Sequence, residues 1–373
     1  MRPVYIAADN IISPLGNTTR ENMEQLKTGN SGISLHSNIN ISAVEFYASL
    51  FKHKEYCDDA TYTKFEKLLI ASVKDAIADC GIDLTDERTV LILSSTKGNI
   101  TLLETETNRP DLKSRIALHT SAKLVADHFG FKSEPLVVSN ACISGIMGIL
   151  TGLRLIQSGN YDNAVVVGAD VITKFVLSGF QSFQAVSAEP CRPFDANRTG
   201  ITLGEGAATM VLTSNPKFSR EIKVLSGAVS NDANHISAPS RTGEELCQAI
   251  QTSLDDAGLN AQDIDLVSAH GTATIYNDEM EAKALALAGL SDVPTNSLKG
   301  FYGHTLGAAG LIESVISLQG LKENIILPTP GFSTLGVSSE INITTQLLSS
   351  PLKTFLKTAS GFGGCNGALI FSK

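Results

Sequence analysis

The sequence predicts an α/β protein assembled from two related halves. Three observations carry that prediction. Runs rich in β-branched residues at 4–7, 90–93, 136–138, 164–167 and 266–268 alternate with helix-length amphipathic segments, the pattern of a sheet covered by helices. The stretch AIADCGIDLTDERTVLI at 76–92 aligns without gaps on SLDDAGLNAQDIDLVSA at 253–269, with Gly81 on Gly258 at an offset of 258 − 81 = 177. And 373 residues are more than one hydrophobic core usually organises.

The repeat defines its elements in order. At the same offset Val73 meets Ile250, Ile77 meets Leu254, Ile82 meets Leu259 and Val90 meets Val267. Each copy reads as a helix closed by a glycine, then a polar turn, then a buried strand. Any α/β protein contains such units, but ungapped agreement over the whole stretch favours a duplication. The polar TSNPKFSRE at 213–221 is a natural join, so the halves are expected at 1–217 and 218–373.

Composition narrows the function classes. Hydrophobic residues make up 43% of the chain and charged residues 18%, a globular balance rather than a disordered one. A formal net charge of -9 argues against a general nucleic-acid binder, because phosphate binding draws on Lys and Arg. Apolar runs such as AVVVGADVI fall short of the ~20 residues a spanning helix needs, so no membrane segment is expected. Six cysteines lie scattered without CxxC pairs, and MRPVYIAADN does not open a leader peptide; the expectation is a reduced, cytoplasmic protein.

One of those cysteines stands out. After the strand at 136–138, Ser139 and Asn140 are good capping residues, and ISGIMGILTGLRLI continues as a helix, which puts Cys142 near a helix N-terminus. There the peptide dipoles favour a thiolate, and backbone N–H groups can face an oxyanion formed beside the sulfur. On this stretch alone, a buried structural cysteine is the competing reading. Two histidines shift the balance: His270 in SAHGTAT, just past a strand, and His304 in SLKGFYGHTLGAAG, a glycine-rich turn opening onto a small-residue helix. Sites on α/β sheets are built at such ends. A lone histidine in such a turn is more often a local hydrogen bonder; two, together with a thiol, are harder to dismiss.

Taken in order, NACISG, PFDANRTGITLGEGAA, AHGTAT followed by NDEME, NSLKGFYGHTLGAAG and GFGGCNGALIF resemble the signatures of the elongating β-ketoacyl-[acyl-carrier-protein] synthases. ISPLGNTTRENMEQLKTGNSGI near the start is similar to their N-terminal segment, so the resemblance spans nearly the whole chain. It implies the thiolase fold, two similar βα halves packed as a five-layered αβαβα sandwich. It implies a homodimer, or a heterodimer with a ketosynthase-like subunit. The implied reaction is decarboxylative Claisen condensation of an enzyme-bound acyl group with a malonyl group on acyl carrier protein, in a fatty-acid or a polyene or polyketide pathway. No resident cofactor or metal is implied, since the substrates ride on the carrier's phosphopantetheine arm.

The resemblance assigns roles residue by residue. Cys142 matches the nucleophile, and His270 and His304 match the pair that steadies the enolate oxygen. Lys299 and Glu313 match a supporting network that orients the histidines. Phe362 matches the residue whose N–H completes the oxyanion hole and whose ring gates the acyl pocket. Thr272 and Thr274 match threonines that bind the phosphopantetheine arm; Asp278 and Glu281 read as structural. Leu102 and Leu103 align roughly with acyl-pocket residues near the dimer interface. Acidic carrier protein is expected on a local basic patch, with Lys64, Lys67, Arg192 and Arg198 as candidates.

Departures from the pattern matter too. The chain is shorter than typical members between about 97 and 125 and before PFDANR, Ile143 stands where threonine is common, and Ser360 where many members carry phenylalanine. Four rival readings compete with this one. A non-condensing subunit of the chain-length-factor type would lack the cysteine. A thiolase would need a second catalytic cysteine such as Cys365, which follows the glycine pair instead of preceding it. An initiating synthase would pair Cys and His with Asn. A silent carrier-binding scaffold would differ only in activity.

Overall fold

Strands whose residues are apolar on both faces need cover on both faces, and this chain builds it twice. The computed structural model describes residues 2–52, 61–233 and 239–373; Cys57 lies outside them. Its main sheet has ten strands: β1 (Val4–Ile12), β2 (Thr89–Ser94), β3 (Leu136–Val138), β4 (Asn163–Asp170), β5 (Gly206–Thr213), β6 (Lys223–Asn231), β7 (Leu266–Ser268), β8 (Thr295–Asn296), β9 (Thr354–Gly361) and β10 (Cys365–Ser372). Across the sheet they run β8-β7-β9-β10-β6-β1-β5-β4-β2-β3. Reading outward from the β1–β6 junction, the order is 1-5-4-2-3 on one side and 6-10-9-7-8 on the other, the same sequence raised by five. Directions repeat as well. β1–β5 and β5–β4 are antiparallel like β6–β10 and β10–β9, whereas β4–β2 and β2–β3 are parallel like β9–β7 and β7–β8.

The repeated stretch fits this register. Gly81 and Gly258 take the same left-handed conformation, φ 69° and 68°, and the offset of 177 carries Thr89, the first residue of β2, onto Leu266, the first of β7 (266 − 89 = 177). Helices α1 (Lys64–Ile77) and α2 (Leu118–Phe129) cover the outer face of the first half. Helices α5 (Glu244–Ala257) and α6 (Ile275–Leu287) cover the outer face of the second. Between the half-sheets lie α3 (Ser144–Gln157) and α7 (Ala309–Glu323), giving the αβαβα layers of a thiolase fold. The α4 helix (Lys174–Ser182) stands beside the opening of the site.

Side-chain alternation shows the layering. Along β4, Val165 and Val167 join the outer cluster with Leu68, Leu69 and Val125, while Ala164 and Val166 join the central one with Ile149 and Val315. Along β10, Ala368 and Ile370 face α5 and α6, and Leu369 and Phe371 face inward. The α7 helix is buried from Ala309 through Leu318, which fits its place in the central layer.

Small residues set how closely the central helices approach. A Cβ on Gly145 would lie 2.6 Å from Leu311 N, and one on Gly310 would lie 2.7 Å from Ile146 Cγ2. The N-terminal turns of α3 and α7 therefore touch backbone to backbone, which is the structural use of the glycines in ISGIMG and LGAAG.

The short 97–125 segment is anchored by a buried ion pair. Arg115 meets Glu66 in bidentate fashion, at 2.7 and 2.8 Å, and Asn99 and Ser121 also donate to Glu66 Oε1. Burial would push the Glu66 carboxyl up, but Arg115 and these hydrogen bonds hold it below its usual value. The same glutamate closes a capping box with Thr63 at the start of α1. Among the described residues no helix is long and apolar enough to cross a membrane.

Candidate active site

Four strand ends converge where α3 meets α7. Beyond β3 the chain turns sharply: Ala141 takes φ 44°, and Ser144 Oγ accepts from Asn140 N at 2.8 Å and donates to Ala141 O at 2.7 Å. Asn140 and Ser139 do not cap the helix. Its cap position is Ile143, without a side-chain cap, and Cys142 lies just before it. The chain turns at Ala141 before the helix begins, so no side chain is left free to cap it.

Beyond β7 comes His270, whose N–H and that of Gly271 donate to the Glu281 carboxylate of α6 at 2.8 and 2.7 Å. Beyond β8 the 297–308 connection carries Lys299 and His304, and its middle is tied to the first half by His304 N–H to Thr202 O and Gly204 N–H to His304 O. The hairpin joining β9 to β10 carries Phe362.

These ends bring Cys142, His270 and His304 together. The sulfur and one ring nitrogen of each histidine lie within 4.8 Å of one another, and the imidazoles stand edge to face with centroids 5.2 Å apart. All three are buried. They line a cavity of about 360 Å³ with Thr272, Thr274, Ser360 and Phe362. The Phe362 N–H points at the Cys142 sulfur. Its ring is 39% exposed, stacks on Phe180 at 5.7 Å and meets Phe183 edge-on at 5.5 Å, so three aromatic rings frame one wall.

Behind the histidines sits a buried charge network. Lys299 Nζ donates to Glu313 Oε1 at 2.6 Å and lies 3.4 Å from His270 Nδ1. The other oxygen, Glu313 Oε2, is 2.7 Å from Lys357 Nζ, an ion-pair contact outside hydrogen-bond alignment. Burial first, and then neighbouring groups, hold both imidazoles well below the usual histidine range: the Lys299 ammonium, the His304 ring and the Lys357 ammonium for His270, and the Lys299 and Lys357 ammonium groups for His304. Both rings are therefore neutral, able to donate a hydrogen bond from one nitrogen and accept at the other. The Cys–His–His spacing would also suit a soft divalent ion, but two buried ammonium groups beside it oppose a dication.

The thiol differs from the sequence expectation. Burial pushes Cys142 up to about 11, with Lys299 opposing and Asp170 adding to the rise. At neutral pH the resting group is a thiol, so the helix terminus alone does not make it a thiolate. A neutral imidazole within 4.8 Å is the acceptor its proton requires.

Other expected residues fall in several places. Thr272 and Thr274 line the cavity, their hydroxyls 2.9 Å apart, and Thr274 also caps α6. Asp278 accepts from the N–H groups of Phe194 and Ala273, and burial pushes it up to about 7. Leu102 and Leu103 do not line the cavity: Leu102 is buried and Leu103 is 43% exposed, because the helical turn there packs one leucine inward and leaves its neighbour outside. The four basic candidates do not make one patch. Arg198 is buried and spends its guanidinium on the carbonyls of Thr274, Asp195, Gly336 and Ile275. Lys64 is bound to the buried Glu205 carboxylate at 2.7 Å, Arg192 pairs with Glu189 at 3.2 Å, and Lys67 is half-buried on α1. Cys365 donates to Asn140 Oδ1 at 2.8 Å and is absent from the cavity wall, which removes the thiolase reading.

Sequence reasoning missed two features. Lys357 is marked only by a lysine inside the apolar strand TFLKTASG. The Phe180–Phe183 wall had no local signal at all, since exposed aromatics on a short helix announce nothing by themselves.

A buried thiol with two neutral imidazoles and a backbone N–H aimed at the sulfur defines a thiol-dependent acyl-transfer centre on a duplicated αβαβα fold. The chain belongs to the beta-ketoacyl synthase family: residues 1–217 match its N-terminal domain and 222–333 its C-terminal domain. It is similar to 3-oxoacyl-[acyl-carrier-protein] synthase 2 of Vibrio cholerae, 29% identical over 417 residues, covering 100% of this chain and 99% of the relative. Among solved structures it resembles the ishigamide ketosynthase/chain length factor, with TM-score 0.90, 26% identity, and 100% and 99% of the two chains covered. It also resembles a ketosynthase in complex with its chain length factor from Xenorhabdus doucetiae, with TM-score 0.88, 26% identity, and 100% and 98% covered.

Proposed function

We propose that this chain is a condensing β-ketoacyl-[acyl-carrier-protein] synthase. The observation that carries the reading is the Cys142–His270–His304 cluster, with its reacting atoms within 4.8 Å and lining one cavity. Cys142 gives its proton to a neighbouring imidazole and attacks the carbonyl of an acyl thioester; the carrier's thiol leaves with a proton, and the acyl group stays on sulfur. The malonyl thioester then enters and loses carbon dioxide, and the electron pair of the broken C–C bond becomes an enolate. Neutral His270 and His304 donate hydrogen bonds to its oxygen. The enolate carbon attacks the Cys142 thioester, the new oxyanion faces the Phe362 N–H, and the sulfur leaves as the β-ketoacyl product forms.

Lys299 and Glu313 position the histidines, and Thr272 and Thr274 face the incoming pantetheine arm. Acyl carrier protein is the partner this chemistry requires, with no resident cofactor. The second subunit is either another copy or a ketosynthase-like chain; two structural relatives named with a chain length factor favour considering the latter. A purely non-condensing role is disfavoured because the thiol and both histidines are present. Intact-protein mass spectrometry after exposure to a panel of acyl carrier protein thioesters tests the reading. Mass added at Cys142, followed by its discharge on addition of malonyl-carrier, is expected; no adduct with any donor would sink it.

A further inference from the structure

A lysine in the middle of a buried strand calls for an account. Lys357 lies on β9 with its side chain fully buried. Its ammonium donates to the carbonyls of Ser268 at 3.0 Å and Ala269 at 3.2 Å, and it contacts Glu313 Oε2 at 2.7 Å. Two N–H donors thus meet carbonyl oxygens while the charge faces a carboxylate, a cage of hydrogen bonds on one side and an ion pair on the other. The parallel register of β9 on β7 pairs Lys357 with Ser268, so the cage follows from the sheet itself. Both carbonyls belong to the strand end that runs straight into His270.

The carboxylate in the cage is shared. Glu313 takes Lys357 on one oxygen and Lys299 on the other, so two ammonium groups face a single carboxylate. The charged and titratable groups around Lys357 are Glu313 from α7, Lys299 from the 297–308 connection, Glu281 from α6, and the imidazoles of His270 and His304. Glu281 is already occupied by the N–H groups of His270 and Gly271 and by the Thr358 hydroxyl.

We propose that Lys357 is a positioning residue for the condensation: an internal ammonium that pins the strand end bearing His270 and, by sharing Glu313 with Lys299, leaves a positive charge against both imidazoles. The inference rests on the proposed ketosynthase reading. Its chemical sense is that an imidazole already protonated has no free electron pair to take the Cys142 proton, whereas a neutral one can both accept that proton and donate to the enolate oxygen.

The test compares two half-reactions of the full-length protein. At alkaline pH, where both imidazoles are neutral in either protein, Lys357→Met should keep acyl loading on Cys142 yet slow malonyl-thioester decarboxylation by about 10- to 100-fold, because the strand end bearing His270 loses its anchor, the scale on which outer partners of metal-bound histidines act. The acid limb of its pH profile should move to higher pH, because a lost positive charge makes the imidazoles easier to protonate. A lysine that only filled space would not move that limb. In Lys357→Ala, ammonium or methylammonium should restore decarboxylation, and tetramethylammonium at equal ionic strength should not. An unchanged rate and pH profile in Lys357→Met, or no rescue of Lys357→Ala by the small cations, overturns the proposal. If neither variant folds, Lys357→Gln, which keeps a donor toward the two carbonyls without the charge, decides by ¹⁵N NMR: a His270 ring that protonates at higher pH than in the unmutated protein supports it, and an unchanged titration overturns it. Unmutated protein that never acquires an acyl group on Cys142 is a failure of the ketosynthase reading instead, and the NMR measurement, which needs no turnover, still judges Lys357.

Discussion

The two halves share strand order, strand directions and helix placement, yet they do different chemistry. In the first half the connection from β3 to α3 spans only 139–143 and delivers one group, Cys142, on a tight turn. The equivalent connection in the second half, from β8 to α7, spans 297–308, is buried throughout, and delivers Lys299 and His304 with Glu313 following on the helix. A short turn holds a nucleophile rigidly. A long buried one has room for a donor and the charges that tune it. Duplication supplied two matching strand ends pointing at one centre, and loop length decided which end became nucleophile and which became electrostatic support.

Cutting each half at its functional group gives the largest effects. Cys142→Ala should abolish the acyl adduct and all condensation while leaving the protein folded, since one small buried side chain replaces another. In the unmutated protein, alkylation of Cys142 by iodoacetamide should keep climbing with pH toward about 11, because the thiolate is the reactive form and burial disfavours it. Plateauing near neutrality would mean that the thiol is activated in the resting enzyme.

His304→Ala, the matching cut in the second half, should lose malonyl decarboxylation by about 10²- to 10³-fold, the usual cost of one donor to a developing oxyanion. It should still accept an acyl group on Cys142 through His270. Loss of acylation and decarboxylation in equal measure, scored by mass spectrometry and carbon dioxide release, would erase the division of labour between the halves.

Stability separates the halves next. Arg115→Met strands the buried Glu66 carboxylate of the first half and should cost about 3–5 kcal/mol in a denaturant titration. A smaller comparison uses the repeated glycines. Gly258→Ala meets open space, so only its left-handed backbone is strained, about 1 kcal/mol; Gly81→Ala carries the same strain and also approaches Phe218 Cε1 at 3.3 Å, so it should cost more. Equal losses would mean that Phe218 yields freely.

The smallest effect is expected at Leu103, which is exposed and outside the cavity. Leu103→Ala should change stability by less than about 0.5 kcal/mol and leave the acyl-chain profile of the isolated chain unchanged. A profile that shifts only in the assembled dimer would show that a second subunit brings this surface to the acyl pocket.

Much of this molecule is legible in the chain itself. The period of β-branched and amphipathic segments gave the α/β class, and the ungapped echo gave the duplication, because hydrophobic periodicity and helix-ending glycines are local properties of the chain. Cys142, His270 and His304 could be picked out because glycine-rich turns and strand ends also leave local marks. Tertiary structure alone decided the rest. Arg198 reads as a surface cation until packing surrounds it with carbonyls, and Lys64 reads as free until Glu205 arrives from the residue before β5, remote in sequence. Lys357 acquires meaning only when the β7–β9 register sets it against Ser268 and Ala269, and α7 brings Glu313. Burial and charge are sums over neighbours remote in sequence, so the protonation of Cys142 and of both histidines is a property of the assembled layers, whereas the residues able to do the chemistry were already written in the chain.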